Sequence, residues 1–203
     1  KFLEEEKIVD LVVGPDAYRD LPSLVKQVNG GQKAVNVLLS REETYADISP
    51  VRYSSNGVSG FISIMRGCDK FCSFCIVPFT RGRERSRSVD SIVTEVKKAV
   101  DQGYVEITLL GQNVNSYKHE KKSFADLLLT ISDIPGVKRI RYTSPHPQDI
   151  NVELLEVMAS RDNICNYLDM PLQHASDNML KAMRRGITNA KTTELVNEIR
   201  NQI

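Results

Sequence analysis

The sequence lacks the features that would direct a protein into or across a membrane. It has no apolar run near the roughly 18 residues that a membrane-spanning helix needs. It also has no signal peptide, and only four of its 203 residues are cysteine. Three of these cysteines are crowded into one short segment, unlike the disulfide framework of a secreted protein. We therefore expect a cytoplasmic protein with reduced cysteines and no membrane partner.

The sequence also has no large excess of positive or negative charge. The 27 Lys and Arg residues nearly balance the 26 Asp and Glu residues, so the net charge of +1 predicts no particular partner. A hydrophobic content of 41% and a charged content of 26% are typical of a globular protein. Because the sequence begins with Lys1 rather than methionine and ends inside a predicted helix, we expect a fragment of a longer protein.

The most informative segment holds Cys68, Cys72 and Cys75, with three and then two residues between them. These cysteines follow an apolar run at 61–65 that predicts a buried strand. Iron–sulfur clusters are held by such short cysteine runs. A 4Fe–4S cluster bound by three cysteines keeps one iron open, and that iron can chelate a small molecule through amino and carboxylate groups. Cys165 is the only further cysteine.

A structural zinc site is the main alternative. Such sites use cysteines paired two residues apart, or cysteines with nearby histidines. The three histidines, His119, His146 and His174, are scattered instead. A zinc-containing module that binds RNA without catalysis would use all four cysteines together with nearby arginines. The spacing favours the iron–sulfur interpretation over this alternative.

The chain divides into two predicted units. In residues 1–39, a strand near 8–14, a helix that ends at the glycines of 30–31 and a strand at 34–39 indicate the end of an α/β domain. Residues 40–56 are polar, include Pro50 and predict a linker. The second unit comprises residues 57–203.

Strand and helix patterns alternate in the second unit. We predict strands at 61–65, 105–110, 137–143 and 167–172, and helices at 89–100, 124–134, 154–158, 177–184 and 190–203. This alternation predicts an α/β fold with a parallel sheet, either doubly wound or an incomplete barrel. Ligands of such folds bind at the carboxyl ends of the strands. We therefore expect one rim formed by the segments after the strands, 66–75, 111–115, 144–147 and 173–176.

Further motifs carry a family resemblance. The cysteine spacing, with Phe74 before the last cysteine, is similar to the motif of radical S-adenosylmethionine (SAM) enzymes. The segments VVGPD at 12–16, RGRERSR at 81–87, LGQNVN at 110–115 and PLQHAS at 171–176 resemble the methylthiotransferases within that superfamily. The resemblance covers essentially the whole chain. It implies a partial (β/α) radical SAM barrel, cut after about four of six units, preceded by the end of the family's N-terminal methylthiotransferase domain.

The resemblance also implies cofactors and their ligands. It assigns a 4Fe–4S cluster with one open iron, which binds SAM, to Cys68, Cys72 and Cys75, and it implies no other catalytic residue. A second, auxiliary 4Fe–4S cluster is expected in the parent protein, but its cysteine ligands are absent from this sequence. Contacts to SAM are carried over to Phe74, Gly111, Gln112, Asn113, Ser144 and Gln173.

Four arginines follow the cysteines at alternate positions, Arg81, Arg83, Arg85 and Arg87. Arginines in such a run neutralise phosphates, and we predict that they bind RNA close to the cluster. Two alternatives are that one or more of them hold the SAM carboxylate, which a planar cation suits, and that the run is solvated and forms structural salt bridges. Arg184 and Arg185 form a similar pair further along the chain.

Within the family, LGQNVN and the SPHP segment at 144–147 resemble the MiaB-type branch. That branch adds a methylthio group to carbon 2 of isopentenyl-adenosine next to the tRNA anticodon. The other branches, which act on threonylcarbamoyl-adenosine in tRNA or on a ribosomal-protein aspartate, are the alternatives. The resemblance implies that the reduced cluster cleaves SAM to a radical that takes hydrogen from the adenine.

In the same reaction sulfur arrives by way of the auxiliary cluster, and a second SAM supplies the methyl group. The resemblance therefore implies that this sulfur-transferring enzyme is incomplete as a fragment. The expected partners are tRNA and an electron donor such as flavodoxin or ferredoxin, and the expected oligomeric state is a monomer.

Overall fold

A computed structural model describes residues 8–48, 50–51 and 57–203 of the chain. The N-terminal unit is a small βαβ motif made of β1 (Leu11–Val13), a 3-10 helix (Tyr18–Asp20), α1 (Leu21–Asn29) and β2 (Ala34–Asn36). Strands β1 and β2 pair in parallel, as the crossover through α1 requires. Strand β2 is shorter than predicted, because Oδ1 of Asn36 accepts a hydrogen bond from N of Leu38 and turns the chain.

The second unit holds three long parallel strands and four short strands. Its elements in chain order are β3 (Ser59–Ser63), β4 (Met65–Arg66), α2 (Val77–Arg81), β5 (Arg85–Ser86), α3 (Val89–Asp101), β6 (Glu106–Leu110), a 3-10 helix (Val114–Ser116), β7 (Lys118–His119), β8 (Lys122–Ser123), α4 (Phe124–Ser132), β9 (Arg139–Tyr142), a 3-10 helix (Pro147–Asp149), α5 (Val152–Ala159), α6 (Asp177–Ala182) and α7 (Asn189–Gln202). The long strands form a parallel sheet in the order β3-β6-β9. Two antiparallel ribbons, β4 with β5 and β7 with β8, project from it. The predicted parallel α/β class is confirmed.

Side-chain caps fix where the chain enters the helices that cover the sheet. Ser88 accepts a hydrogen bond from N of Ser91 at the start of α3, and Asn151 caps α5 in the same way. Ser123 and Asp126 form a capping box at the start of α4. Each such cap stabilises its helix by about 1 kcal/mol. The caps therefore define where these three helices begin.

The order of the long strands decides between the two architectures that the sequence leaves open. Strands β3, β6 and β9 follow one another without reversal, so right-handed crossovers place α3, α4 and α5 on one face of the sheet. On that face Ile62, Leu109 and Ile140 are fully buried in a core shared with all three helices. On the opposite face Phe61 is 60% exposed. One-sided winding is the geometry of a barrel segment, because a doubly wound sheet needs a reversal of strand order.

The predicted fourth strand at 167–172 is wrong. The chain instead meets β9 earlier, through one parallel bridge between Ile140 and Ile164. N of Cys165 donates a hydrogen bond to O of Ile140 beside this bridge. Residues 167–176 form neither strand nor helix. Pro171 has no N–H to offer a ladder, and its carbonyl accepts a hydrogen bond from Arg185 instead.

The predicted linker at 40–56 falls partly outside the described residues, which omit Ser49 and residues 52–56. The described part is tied to the second unit, because the carbonyls of Ser40 and Glu43 both accept hydrogen bonds from Arg85. The division into domains stays a prediction.

Candidate functional site

A short antiparallel ribbon carries the three clustered cysteines. The strand predicted at 61–65 is split, because β3 ends at Ser63 and Met65 begins β4, which pairs with β5. Residues 67–84, which connect β4 to β5, are called the cysteine loop below. N of Cys68 donates a hydrogen bond of 3.2 Å to O of Gly82 and so closes the base of the loop. The ribbon lifts the cysteines beyond the carboxyl end of β3.

Two glycines let the backbone pack tightly at this base. Gly67 has a φ of +79°, and a Cβ there would lie 2.1 Å from O of Arg83. Gly111 follows β6, and a Cβ there would lie 2.6 Å from Cγ of Met65. The next side chain, Gln112, accepts a hydrogen bond of 2.8 Å from N of Gly67. The end of β6 therefore supports the cysteine loop directly.

The three cysteines of the loop provide soft donors in a partly shielded place. All four cysteines of the chain are free. Cys72 is buried, Cys68 and Cys75 are partly buried, and burial raises the pKa of the Cys68 thiol. Cys165 lies level with Ile140, near the start of β9, rather than beyond its carboxyl end. Three thiols on one loop fit the ligand set of an iron–sulfur cluster.

The zinc alternative differs from the iron–sulfur interpretation in needing Cys165 as a fourth ligand. Cys165 lies near the start of β9, whereas the other three cysteines lie on the loop beyond the carboxyl end of β3. In the part of the chain that the structure describes, no three side chains of His, Cys, Asp or Glu are gathered closely enough to hold one metal ion, and this holds for Cys68, Cys72 and Cys75 as well. The position of Cys165 therefore argues against a zinc site made of the four cysteines.

Polar side chains tie the cysteine loop to the segment after β9. Nζ of Lys70 lies 2.6 Å from Oδ1 of Asp149. The other carboxylate oxygen of Asp149 accepts a hydrogen bond of 2.8 Å from Nδ2 of Asn113, which is 1% exposed. Lys70 lies in a predicted rim segment, whereas no sequence signal marked Asp149. The structure thus brings Asn113 to the rim but engages its amide with protein partners.

Two of the remaining predicted SAM contacts have unusual backbone geometry. Ser144 and Gln173 are exposed and have φ values of +58° and +73°, and Phe71 in the cysteine loop has a φ of +47°. Left-handed conformations of such residues cost energy and are concentrated at functional sites. Phe74 is 54% exposed. The sequence predicted these rim positions but gave no indication of their backbone conformation.

His146 is a buried basic group of the same rim. It is 6% exposed, and its Nδ1 accepts a hydrogen bond from N of Gln148. Burial, reinforced by the positive charges of Arg185 and Lys70, lowers the pKa of His146 to about 4. The imidazole is therefore neutral at physiological pH.

The structure corrects half of the predicted RNA-binding arginines. Arg85 is 7% exposed and pairs with Asp16 at 3.0 Å, and Arg87 is 5% exposed and pairs with Glu95 at 2.6 Å. Both guanidinium groups form ion pairs inside the protein, so they are not accessible to the phosphates of an RNA. Arg83 is exposed and Arg81 partly exposed, and RNA binding by these two stays a prediction. Arg83 also pairs with Asp69 at 2.6 Å and lowers the pKa of that carboxyl.

Arg185 is a site residue whose position the sequence did not indicate. It is 5% exposed, and its Nη1 donates a hydrogen bond of 3.4 Å to Sγ of Cys72. The neighbouring loop residue Ser73 donates from Oγ to O of Ala182 and from N to O of Met183. The turn after α6 and the cysteine loop are therefore joined. The only available signal was the pair Arg184-Arg185 itself.

Comparison with protein families identifies the second unit. Residues 62–203 match the model of the radical SAM superfamily. The chain belongs to this superfamily. Among solved structures it is similar to the radical SAM methyltransferase TsrM from Kitasatospora setae, bound to tryptophan and a SAM analogue. That similarity has a TM-score of 0.66 at 17% identity and covers 94% of this chain and 43% of TsrM, so it supports the barrel fold alone.

Curated relatives extend the similarity over the whole chain. A tRNA-2-methylthio-N6-dimethylallyladenosine synthase of Christiangramia forsetii is 52% identical over 100% of this chain and 46% of its own length. The mitochondrial tRNA methylthiotransferase CDK5RAP1 of Rattus norvegicus is 48% identical over 100% of this chain and 39% of its own length. The chain thus spans less than half the length of these relatives. None of the described helices has the length and apolar character that crossing a membrane requires.

Proposed function

We propose that this chain is the SAM-cleaving part of a tRNA methylthiotransferase. Its substrate is isopentenyl-adenosine next to the anticodon, and the methylthio group is added at carbon 2. One observation carries the proposal: three free cysteines share a loop at the carboxyl end of the parallel sheet, in a radical SAM chain 52% identical to a synthase named for that product.

Cys68, Cys72 and Cys75 would hold a 4Fe–4S cluster in this proposal. When bound, that cluster supplies the one-electron chemistry by which radical SAM enzymes cleave SAM. The protein keeps water away by burying Cys72 and half-burying its neighbours. Gln112 and Asp149 orient the loop through Gly67 and Lys70. Cofactors need this positioning and exclusion of water from the protein.

The rim offers places for SAM and for RNA. Ser144, Gln173 and Phe74, the last of which lies in the cysteine loop, have exposed side chains and are assigned to SAM. Arg81 and Arg83 lie at the end of α2 and just beyond it, and they are assigned to phosphates of the anticodon stem. Exposed Phe79, on α2, offers an aromatic face on which an unpaired base stacks. The tRNA is thereby brought to the same rim as the cysteines.

Cofactor binding is tested on anaerobically reconstituted protein. We expect about four irons and about four sulfides per chain, and an EPR signal of the reduced protein that changes when SAM is added. Substitution of any one of Cys68, Cys72 and Cys75 by Ala abolishes the signal, whereas Cys165→Ala preserves it. Tightly bound zinc without sulfide would refute the proposal.

The substrate is tested by binding and by SAM cleavage. Anticodon stem-loops that carry isopentenyl-adenosine, threonylcarbamoyl-adenosine or unmodified adenosine are compared for affinity and for their effect on release of 5′-deoxyadenosine. We expect the isopentenylated RNA to bind most tightly and to stimulate release. Preference for the threonylcarbamoyl RNA, or for a ribosomal-protein peptide, would instead assign the chain to another branch of the family.

A further inference from the structure

Arg185 is a buried cation in contact with a cysteine of the loop. Its Nη1 donates to Sγ of Cys72 at 3.4 Å, and its Nη2 donates to O of Pro171 at 2.6 Å. Its Nε is buried and has no hydrogen-bond partner within the described part of the chain. No carboxylate of the described residues forms an ion pair with it. The guanidinium is therefore an uncompensated positive charge next to sulfur.

The position of this charge is set by backbone structure. N of Arg185 donates a hydrogen bond of 3.0 Å to O of Leu180 in α6. Arg184 has a φ of +55°, which turns the chain after the helix. Ser73 binds the same turn through two hydrogen bonds, to O of Ala182 and O of Met183. The backbone of Arg185 and the loop segment that carries Cys72 are thus held together by hydrogen bonds, and the guanidinium is held at Pro171 as well.

A buried guanidinium without a carboxylate is costly, because arginine stays protonated and loses its hydration. An anion in contact with it offsets that cost. A cysteine-ligated cluster is such an anion, and each electron that it accepts adds one negative charge. Hydrogen bonds to the sulfurs and nearby charge set the reduction potential of iron–sulfur clusters.

We propose that Arg185 is a positioning residue for the cluster. It donates a hydrogen bond to Sγ of the cluster ligand Cys72 and thereby raises the reduction potential of the cluster. This inference rests on the cluster of the proposed function. The step that it favours is the transfer of one electron from a low-potential one-electron donor to the oxidised cluster. No bond is formed or broken in this step, and no proton is moved.

The test compares Arg185→Gln with Arg184→Gln in the reconstituted protein. Arg184 is the adjacent residue and is exposed, so its substitution removes the same charge from the same turn without touching Cys72. Iron and sulfide are counted first, and the reduced fraction is then followed by EPR during a mediated redox titration. The readout is the midpoint potential and does not require enzyme activity.

We expect the ratio of reduced to oxidised cluster at a fixed potential to fall about tenfold in R185Q, which corresponds to about 59 mV for one electron. The same ratio should stay within about twofold of wild type in R184Q, because the charge of Arg184 is screened by water. Arg185→Lys keeps the charge but loses the fork that reaches both Cys72 and Pro171, and we expect an intermediate potential.

Each other outcome has a defined meaning. A wild-type protein that binds no iron and sulfide refutes the proposed function and removes the basis of the inference. R185Q that holds a full cluster at the wild-type potential overturns the inference alone. Weaker SAM binding at an unchanged potential would also overturn it, because it assigns the guanidinium to the cofactor carboxylate. If R185Q does not retain its cluster, R185K decides, and a wild-type potential in R185K overturns the inference.

Discussion

The arginine run at 81–87 divides into two halves with opposite environments. Arg81 and Arg83 are at the surface, whereas Arg85 and Arg87 are buried and paired with Asp16 and Glu95. The four side chains have the same charge and regular spacing, so local sequence does not distinguish them. Burial of the ion pair does: Asp16 and Glu95 are shielded from water together with their arginines, whereas Asp69, the partner of Arg83, is exposed. An alternating basic run therefore indicates a phosphate-binding surface only after its internal partners are known.

The buried half connects parts of the molecule that are far apart in the chain. The carboxylate of Asp16 is fully shielded from solvent and comes from the N-terminal unit. Arg66, which directly precedes the cysteine loop, donates a hydrogen bond to O of Pro15. Arg85 and Arg66 lie opposite each other in the ribbon that carries the loop. The N-terminal unit thus braces the base of the candidate site.

The largest predicted effect belongs to the buried half. Arg85→Met leaves the shielded Asp16 carboxylate without its main ion-pair partner, and we expect it to destabilise the protein by about 3–5 kcal/mol. Urea unfolding of the variant measures this loss. The double variant Asp16→Asn with Arg85→Met is the control, and it should lose less, since no charge is then buried alone. A loss in R85M as small as that of an exposed substitution would contradict the distinction between the halves.

The second predicted effect concerns His146, a buried basic group whose protonated form is disfavoured by burial. Its pKa in the folded protein is about 4, below the ordinary value of about 6.5. Stability is therefore fully present above pH 6.5 and is lost as the pH falls towards 4, because the unfolded chain binds the proton more readily. We expect a loss of up to about 3 kcal/mol from this group.

Unfolding of the protein without cluster, measured from pH 7 to 4, tests this pH dependence. His146→Asn is the matched control, since its side-chain oxygen can accept the hydrogen bond from Gln148. The difference between the wild-type and His146→Asn profiles of unfolding free energy against pH gives the contribution of His146. Parallel profiles would contradict the lowered pKa of His146.

The third effect belongs to the exposed half. Replacing Arg81 and Arg83 together by Gln should weaken tRNA binding and reduce the slope of log affinity against log salt concentration by about 1–2, because up to two phosphate contacts are lost. Filter binding at several salt concentrations measures the slope. A pair of surface lysines on the helix-covered side, Lys97 and Lys98, serves as the control. An unchanged slope would remove these arginines from the RNA interface.

The smallest predicted effect is that of Arg83→Gln on stability. The ion pair of Arg83 with Asp69 is exposed, and such pairs contribute little because water and salt screen them. We expect a urea midpoint that barely differs from wild type. A loss comparable to that of R85M would mean that the exposed pair fixes the cysteine loop.

Much of the fold was predictable because it depends on local patterns. The helices that cover the sheet were predicted from apolar periodicity, and their Ser and Asn caps explain their starts. The parallel sheet followed from the alternation of strands and helices. The prediction of a strand at 167–172 was wrong. A strand forms only where a neighbouring strand pairs with it, and the chain instead meets β9 earlier, at Ile164. The break between β3 and β4 was missed for the same reason, since it is set by pairing with β5.

The sequence by itself determined the superfamily, the parallel α/β class and the crowding of three cysteines after the first strand, because cysteine spacing and strand–helix alternation are local properties. Only the tertiary structure decided which arginines are buried, that Gln112 supports the loop and that Arg185 reaches Cys72. These contacts join residues far apart in the chain, and their energies depend on shielding from water. Burial of that kind arises only when the elements pack together.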